Sequence, residues 1–312
     1  MAMKILSLWS VFLFALAARG ENGTSGYEYL SIPVSAHSAA LGGLNATIAE
    51  DDISLVFENP ALLSNVSDKT LGLGFTSYIA NTKKLSAAWA QSAGERGVWC
   101  ANVQYLSYGN MKETDEQGAE IGDFTASDVS VQGSYAYMLT DYISGGVTAK
   151  FMFSNYASYN AFAVGVDLGL NYLNIDAGTS LAIVGRNLGG QVKAFHDKHE
   201  KLPFDLCIGF SQELENAPIR ISLTMDDITH WKDINFIQHF IIGVDIFASQ
   251  NVWIALGYNI RRAHEMKVID SSHWAGWNIG GGLNLNKIKV GIAYGRYHIA
   301  ANSLMCNLAY NF

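Results

Sequence analysis

The sequence has little charge, because only 15% of its 312 residues are Asp, Glu, Lys or Arg, whereas soluble domains carry about 25%. The net charge is -8, and the sequence contains no cluster of Lys and Arg. Nucleic acid is therefore excluded as a partner, since phosphate binding depends on such clusters. Long apolar runs are also missing beyond the first 18 positions. A helical membrane protein is excluded, because each spanning helix needs roughly 20 apolar residues.

Cysteine is scarce, and Cys100, Cys207 and Cys306 lie far apart, without the CxxC spacing of zinc or redox sites. We expect all three to be packing residues, with one disulfide between two of them left open for an oxidising compartment. Nucleotide and nucleophile signatures are missing as well: the sequence contains neither GxGxxG, GxSxG nor HExxH. We therefore assign no catalytic residue and expect neither an enzyme nor a cofactor.

The N-terminus has the composition of an export signal. Lys4 precedes an apolar run from Ile5 to Ala18, in which Ala15 and Ala17 have the spacing of a cleavage site. We predict that residues 1–18 are a signal peptide, removed after export across an inner membrane or the endoplasmic reticulum.

From residue 69 onward, apolar residues alternate with small or polar ones. Ile288, Val290, Ile292 and Tyr294 share one parity, for example. A period of two is typical of β-strands with one apolar face. Segments with this pattern predict about fourteen strands. They lie near residues 70–80, 83–91, 97–108, 127–138, 142–153, 160–171, 174–186, 203–213, 218–226, 236–247, 251–262, 274–286, 288–296 and 302–312.

Eight charged residues within the predicted strands fall on the parity opposite to the apolar set. They are Lys150, Asp167, Asp176, Asp205, Arg220, Asp245, Arg261 and Lys289. The rest of that parity is mostly Gly, Ala, Ser and Asn, which suits a narrow lumen better than a water-exposed sheet. The pattern therefore predicts an all-β, transmembrane antiparallel β-barrel with its apolar parity toward lipid. We predict that Lys150, Asp167, Arg220 and Arg261 face the lumen. A soluble β-protein, with the apolar parity inside, is the competing interpretation.

The connections and the last strand favour the membrane barrel. Tight turns alternate with longer loops, as at the two rims of outer-membrane barrels. The longer loops are residues 109–126, 187–202, 227–235 and 263–273. The final strand ends with Tyr310 and Phe312 on the apolar parity. It resembles the C-terminal assembly signal of bacterial outer-membrane proteins, and we predict this role for both residues.

Residues 19–68, between the signal peptide and the barrel at 69–312, do not alternate. Residues 35–44 predict a short helix that ends at two glycines. Asn59 is a predicted N-cap with Pro60 in the first helical position. An acidic, partly apolar segment of this kind beside a small barrel predicts a plug.

Motifs in this segment resemble the N-terminal signature of the FadL-like barrels that include the PorV and PorQ components of the type IX secretion system. The matching positions are Leu41, Gly42, Gly43, Asp51, Asp52, Asn59, Pro60 and Ala61. The opening residues 27–34 and the compact length are closer to PorQ. The resemblance implies a barrel of fourteen strands whose N-terminal segment folds into the lumen.

The resemblance also implies a role without chemistry. The protein would sit in the outer membrane of a Gram-negative, Bacteroidota-like bacterium. There it would anchor PorZ-like, PorU-like and PorV-like components that process secreted cargo and attach it to lipopolysaccharide. Loops 109–126, 187–202 and 263–273 would contact these partners. The alternative is FadL-like transport of hydrophobic small molecules, with Lys150, Arg220 and Arg261 available to a carboxylate.

Three groups of side chains have residue types that bind metals. They are His196, Asp197, His199 and Glu200; Asp226, Asp227 and His230; and Asp51, Asp52 and Glu58. The first two groups lie in predicted loops, where a solvated charged surface explains them as well. The third could bind calcium only if its carboxylates converge. We assign no metal ligand.

Overall fold

The structure is a computed structural model that describes residues 26–115, 117, 119–196, 199–230, 235–266, 275–298 and 301–312. The predicted signal peptide, residues 1–18, lies outside these ranges. In the described part of the chain, no helix has the length and apolar character to cross a membrane.

Fourteen antiparallel strands form a closed barrel within the described residues. They are β1 (Thr70–Ser77), β2 (Lys83–Ala93), β3 (Gly97–Thr114), β4 (Glu120–Met138), β5 (Ile143–Tyr156), β6 (Tyr159–Asn174), β7 (Thr179–Lys193), β8 (Asp205–Glu213), β9 (Ile219–Met225), β10 (Phe240–Ser249), β11 (Val252–Asn259), β12 (Trp277–Leu285), β13 (Ile288–His298) and β14 (Ala301–Asn311). Each strand pairs with the next, and β1 closes on β14, with Thr70 opposite Asn311. The predicted all-β, antiparallel barrel of about fourteen strands is confirmed.

Burial alternates along the strands with the parity that the sequence predicts. In β4, Val131 and Tyr135 are exposed on the outer face, whereas Ser130 and Ser134 are buried on the inner face. Because successive side chains of a strand point to opposite faces, the apolar set covers the outside of the barrel. Small and polar residues line the inside.

The two rims differ in their connections. The short-turn rim carries turns 94–96, 139–142, 175–178, 214–218, 250–251 and 286–287. The opposite, long-loop rim carries the connections 194–204, 226–239 and 260–276.

The predicted loop 109–126 is wrong, because β3 and β4 continue past the barrel as a paired hairpin, with Thr114 opposite Glu120. This extension has no apolar parity, so the sequence pattern did not reveal it.

Two predicted strands contain helices at the long-loop rim. A 3-10 helix, Phe236–His239, precedes β10. After β11, the Asn259 side chain accepts a hydrogen bond from Arg262 N and begins an α-helix, Ile260–Glu265. Arg261 therefore lies in this helix, and its prediction as a lumen-facing strand residue is wrong. Asp176, which we also predicted within a strand, lies in the turn after β6.

Residues 26–69 form a separate segment, called the N-terminal segment below, which packs on the inner face of the barrel. It contains the helix α1 (Ala36–Ala40) and three 3-10 helices, Glu28–Ser31, Ile53–Phe57 and Pro60–Asn65. The side chain of Ser35 caps α1, and Gly42 and Gly43 end it with φ of 109° and 104°. The Asn59 side chain accepts a hydrogen bond from Ala61 N, as predicted for an N-cap.

Glycines on the inner face allow the segment to approach the wall closely. A Cβ atom on Gly146 of β5 would lie 2.3 Å from the carbonyl carbon of Pro60. A Cβ on Gly257 of β11 would lie 2.1 Å from the carbonyl carbon of Leu41. Neither distance is possible for real atoms. The small residues on this parity are therefore required by packing against the segment.

Candidate functional site

One charge network joins the N-terminal segment to β9 and β10. His37 of α1 contacts Asp245 through Nε2 at 2.7 Å and Glu50 through Nδ1 at 3.4 Å. Arg220 donates from Nη2 to Glu50 at 2.6 Å and from Nε to Asp245 at 2.8 Å. Two cations and two carboxylates thus alternate in a ring. The ring of Trp253 stacks on His37 with centroids 3.8 Å apart.

The segment's members of this network are charged at neutral pH. Burial lowers the pKa of His37, but the neighbouring carboxylates of Glu50 and Asp245 outweigh burial and raise it to about 9. Burial raises the pKa of Glu50, yet Arg220 and His37 hold that pKa well below its usual range. Three of these charges are buried and Glu50 is partly exposed, and the attraction between opposite charges offsets the penalty of removing them from water.

A second network lies wholly within the wall, on β5 to β7. Lys150 Nζ contacts Asp167 at 2.6 Å and donates to Asn187 Oδ1 at 2.8 Å. The register between β6 and β7 shifts between Val166 and Leu168, and Asn187 has a φ of 57°. This β-bulge lets Asn187 N donate to Asp167 at 2.7 Å. Lys150 and Asp167 thus face the lumen as partners of each other.

A third network lies toward the long-loop rim around Arg186 of β7. Arg186 pairs with Asp205, lies 3.2 Å from Asp226 and lies 3.8 Å from Glu58 of the N-terminal segment. Burial and the nearby Asp205 raise the pKa of Asp226 well above its usual value, despite Arg186. Arg186 was not among the residues predicted to face the lumen. The parity of Arg186 does indicate an inward side chain, because Ala182 and Val184 share this parity and are buried.

Two lysines of the wall also bind the N-terminal segment. Lys84 of β2 donates to the carbonyl oxygens of Tyr29 at 3.1 Å and of Ile32 at 2.6 Å. Lys289 of β13 pairs with the carboxylate of Asp51. Lys84 too was missed, although it shares its parity with Ser86 and other inward residues of β2. Cations from several strands therefore hold the segment.

A cavity of about 210 Å³ lies between the segment and the wall at the short-turn rim. Ile53, Phe57 and Trp253 give it apolar sides, and Asp52 and Lys289 are among its charged residues. Ser249 at the end of β10 and the turn residues Gln250 and Asn251 lie at its edge.

The predicted motif positions lie inside the barrel. Asn59 donates from Nδ2 to the carbonyl oxygen of Ala46 at 2.9 Å, which ties two parts of the segment together. Asp52 caps the 3-10 helix Ile53–Phe57. Leu41, Pro60 and Ala61 are buried. The motif therefore specifies the fold of the segment and its approach to the wall.

The last strand places its terminal aromatic residues at the short-turn rim. Tyr310 and Phe312 lie on the outer parity of β14, and Phe312 is 64% exposed. The Phe312 ring packs against Trp89, with centroids 5.5 Å apart, and against Tyr310 at 4.8 Å. This cluster joins the first hairpin to the last strand.

The candidate metal groups do not form a ligand set in the described residues, where no three His, Cys, Asp or Glu side chains are arranged to hold an ion. Asp51 pairs with Lys289, and Glu58 lies beside Arg186. Asp227 contacts both His230 and Arg261. Part of the remaining group, Asp197, lies outside the described residues. The three cysteines are free thiols.

Several solved structures share this fold. The Pseudomonas putida toluene transporter TodX aligns with 88% of this chain and 96% of its own, at 13% identity and a TM-score of 0.56. The CymD monoaromatic hydrocarbon channel aligns with 90% of this chain and 97% of its own, at 13% identity and a TM-score of 0.56. A Pseudomonas aeruginosa FadL homologue aligns with 89% of this chain and 98% of its own, at 8% identity and a TM-score of 0.54.

No protein-family model and no curated protein matches the chain. At such low identity the structural likeness concerns the fold alone. The chain has the closed fourteen-stranded architecture of FadL-like outer-membrane barrels.

Proposed function

We propose that the protein is an outer-membrane channel for small hydrophobic molecules and that the N-terminal segment is its plug. One observation carries the proposal. A segment of the chain itself packs against the inner face of the barrel, in a fold shared with a toluene transporter and a monoaromatic hydrocarbon channel. Because both proteins differ from this chain at most positions, the molecules they carry suggest the chemical class of its cargo but not the particular compound.

The outer face supports the membrane location. Exposed Leu, Ile, Val, Phe and Tyr side chains follow one another around the barrel. Examples are Leu73, Leu85, Val131, Phe151, Ile183, Phe210, Leu223, Ile254 and Leu308. A water-soluble monomer rarely exposes so continuous an apolar surface, whereas a bilayer stabilises it. Export through the signal peptide at 1–18 and assembly through Tyr310 and Phe312 are parts of the same proposal.

Passage requires the plug to move relative to the wall. Three carboxylates of the segment, on Glu50, Asp51 and Glu58, each lie beside a wall cation. Polar contacts of this kind can be exchanged for water as the segment shifts. A cargo molecule that enters from one rim would follow the small and polar inner face of the wall. The plug would close the path again when its ion pairs re-form.

A disulfide between plug and wall tests this proposal. Ala36 of α1 lies against Gly291 of β13, where a Cβ atom would be 3.4 Å from the Ala36 Cβ, close to the spacing of about 3.5 to 4.5 Å in disulfides. We would combine Ala36→Cys with Gly291→Cys after replacing the three native cysteines by serine. In a Gram-negative host without other such channels, we expect uptake of a radiolabelled monoaromatic compound to stop on oxidation and to return with reductant.

The controls separate the two parts of the proposal. Each single cysteine variant should transport under both conditions. Uptake by the oxidised double variant at the unlocked rate would contradict a moving plug. If no form of the protein raised uptake above that of the empty host, the channel itself would be rejected.

A second candidate is an anchoring subunit of a type IX secretion system. The motif resemblance at positions such as Leu41, Asp51 and Asn59 favours it, as does the close packing of the segment against Gly146 and Gly257. Its partners would be PorZ-like, PorU-like and PorV-like proteins, with lipopolysaccharide nearby. The fold comparison favours the channel instead.

Cross-linking in the native envelope distinguishes the two candidates. Contacts through loops 194–204 or 260–276, or through the hairpin of β3 and β4, would identify the anchoring surface. Recovery of a sortase complex, together with the absence of hydrocarbon uptake, would favour the anchor. Uptake without such a complex would favour the channel.

A further inference from the structure

We infer that the cavity at the short-turn rim is a binding site for a small monocyclic molecule that carries a protonated amine. The inference goes beyond the proposed channel, because a ligand could bind here whether or not the lumen conducts.

The size of the cavity limits the ligand. Its volume is about 210 Å³, and an apolar cavity of about 150 Å³ is sufficient for benzene. One aromatic ring with a short substituent therefore fits, whereas a long acyl chain does not fit in full.

The apolar side of the cavity suits a ring. Ile53 and Phe57 contribute from the N-terminal segment, and Trp253 and Phe247 contribute from the wall. The indole of Trp253 is fixed by its stacking on His37, with the two planes inclined by 7°. A preformed aromatic surface binds a ring without the entropy cost of ordering its own side chains.

The polar side of the cavity favours a cation. It carries three carboxylates, from Glu50, Asp51 and Asp52, and two cations, from His37 and Lys289. Glu50 and Asp51 already have cationic partners. Asp52 has no ion pair among the described residues, and its carboxylate accepts a hydrogen bond from Ser54 N. Burial raises the pKa of Asp52, so a bound cation would stabilise its charged form.

A hydroxyl group adds a second polar contact. Ser54 is 7% exposed, and its Oγ has no partner of normal hydrogen-bond geometry among the described residues. Ser54 lines the cavity together with Asp52. An ammonium group near both side chains would therefore find one charged and one neutral acceptor. Exposed Ser249 and Gln250 mark the entrance from the short-turn side.

Calorimetric titration of the purified, detergent-solubilised full-length protein with benzylamine tests the inference, with a protein-free micelle blank. We expect saturable binding that Asp52→Asn weakens about tenfold or more, since it removes a charge-assisted hydrogen bond. Asparagine caps a helix about as well as aspartate, so the fold should persist. Asp176→Asn, in an exposed turn of the same rim, should leave the affinity unchanged.

Two further measurements keep the test decisive. Ser249→Trp should weaken binding by covering the entrance without altering Asp52. Benzoate, with the same ring and the opposite charge, should not bind detectably. Benzylamine that binds Asp52→Asn as tightly as the unaltered protein, or benzoate that binds as tightly as benzylamine, would overturn the inference. Binding without hydrocarbon uptake would contradict the channel alone, and uptake without binding would contradict the site alone.

Discussion

The outer and inner faces of the barrel wall come from the same strands but obey different constraints. On β6, Val166 and Leu170 are 37% and 47% exposed, whereas Asp167 and Asn171 are 2% and 1% exposed. An outward side chain needs only to be apolar. An inward one must match a particular neighbour, as Asp167 matches Lys150. General hydrophobicity specifies the outside, and pairwise complementarity specifies the inside.

The inner face itself has two regions. The network of β5 to β7 is completed within the wall, by Lys150, Asp167 and Asn187. The network of β9 and β10 is completed by the N-terminal segment, through His37 and Glu50. Movement of the segment would therefore leave the first network intact and break the second.

The largest expected effect comes from breaking that second network. Arg220→Ala should lower the free energy of unfolding by about 3 to 5 kcal/mol, because it leaves buried Asp245 and partly buried Glu50 without their guanidinium partner. Urea unfolding in lipid vesicles measures the loss. Arg96→Ala is the matched control, since the pair of Arg96 with Asp141 is exposed at the short-turn rim. Equal losses would contradict the assigned importance of the inner network.

A charge on the outer face should have the next largest effect. Val166→Arg, or Leu256→Arg, should cost roughly 2 to 4 kcal/mol and impair assembly, because a lipid-facing cation is costly near the bilayer midplane. Gly165→Ser on the inner face should be milder, since a Cβ there would lie 3.3 Å from the flexible ends of Leu202 and Met152. Heat-modifiable gel mobility gives the assembled fraction. Similar loss on both faces would reject the facing assignment.

A smaller effect is expected where the segment touches the wall. Gly146→Ala would place a methyl group in the backbone of Pro60. We expect about 1 to 3 kcal/mol of destabilisation, as in other overpacked interiors. Limited proteolysis should then cleave the N-terminal segment more readily. Gly133→Ala, with open space around its Cβ, serves as the control. Unchanged proteolysis of Gly146→Ala would contradict the close packing of Pro60 against β5.

The smallest expected effect concerns pH. The pKa of His37 is about 9 in the folded protein, against an ordinary value of 6.5. Its charged contacts therefore stabilise the fold fully below pH 6.5 and weaken as the pH rises through about 9. We expect the urea midpoint to fall between pH 7 and pH 10 by more in the unaltered protein than in His37→Gln. Parallel pH profiles of the two proteins would contradict the raised pKa.

Much of the fold could be predicted from the sequence, because strand geometry converts spacing directly into facing. The parity of Arg220 and Asp245 predicted their inward direction, and Asn59 and Pro60 predicted the start of a helix. Arg261 was placed wrongly because the apolar alternation of β11 runs on into a helix begun by the Asn259 cap. A local sequence pattern depends only on a residue's neighbours along the chain. It therefore does not predict the residue at which a strand leaves the sheet.

The site was less accessible to prediction than the fold. Lys84 and Arg186 had the correct parity, but their partners are separated from them by large distances in the sequence. His37 had no informative pattern, because its role depends on Glu50 and Asp245, which approach it from different parts of the chain. Such convergence follows from the closure of the barrel around the segment.

By itself, the sequence indicated where most strands lie and determined which side of each strand is apolar, since alternation and low charge are properties of the linear chain. The tertiary structure decided which inward charges meet, where a cavity is left, and that several small residues are needed to admit the N-terminal segment. The physical reason is the range of the interactions. Backbone geometry acts between adjacent residues, whereas ion pairing and packing act between atoms that only the closed barrel brings together.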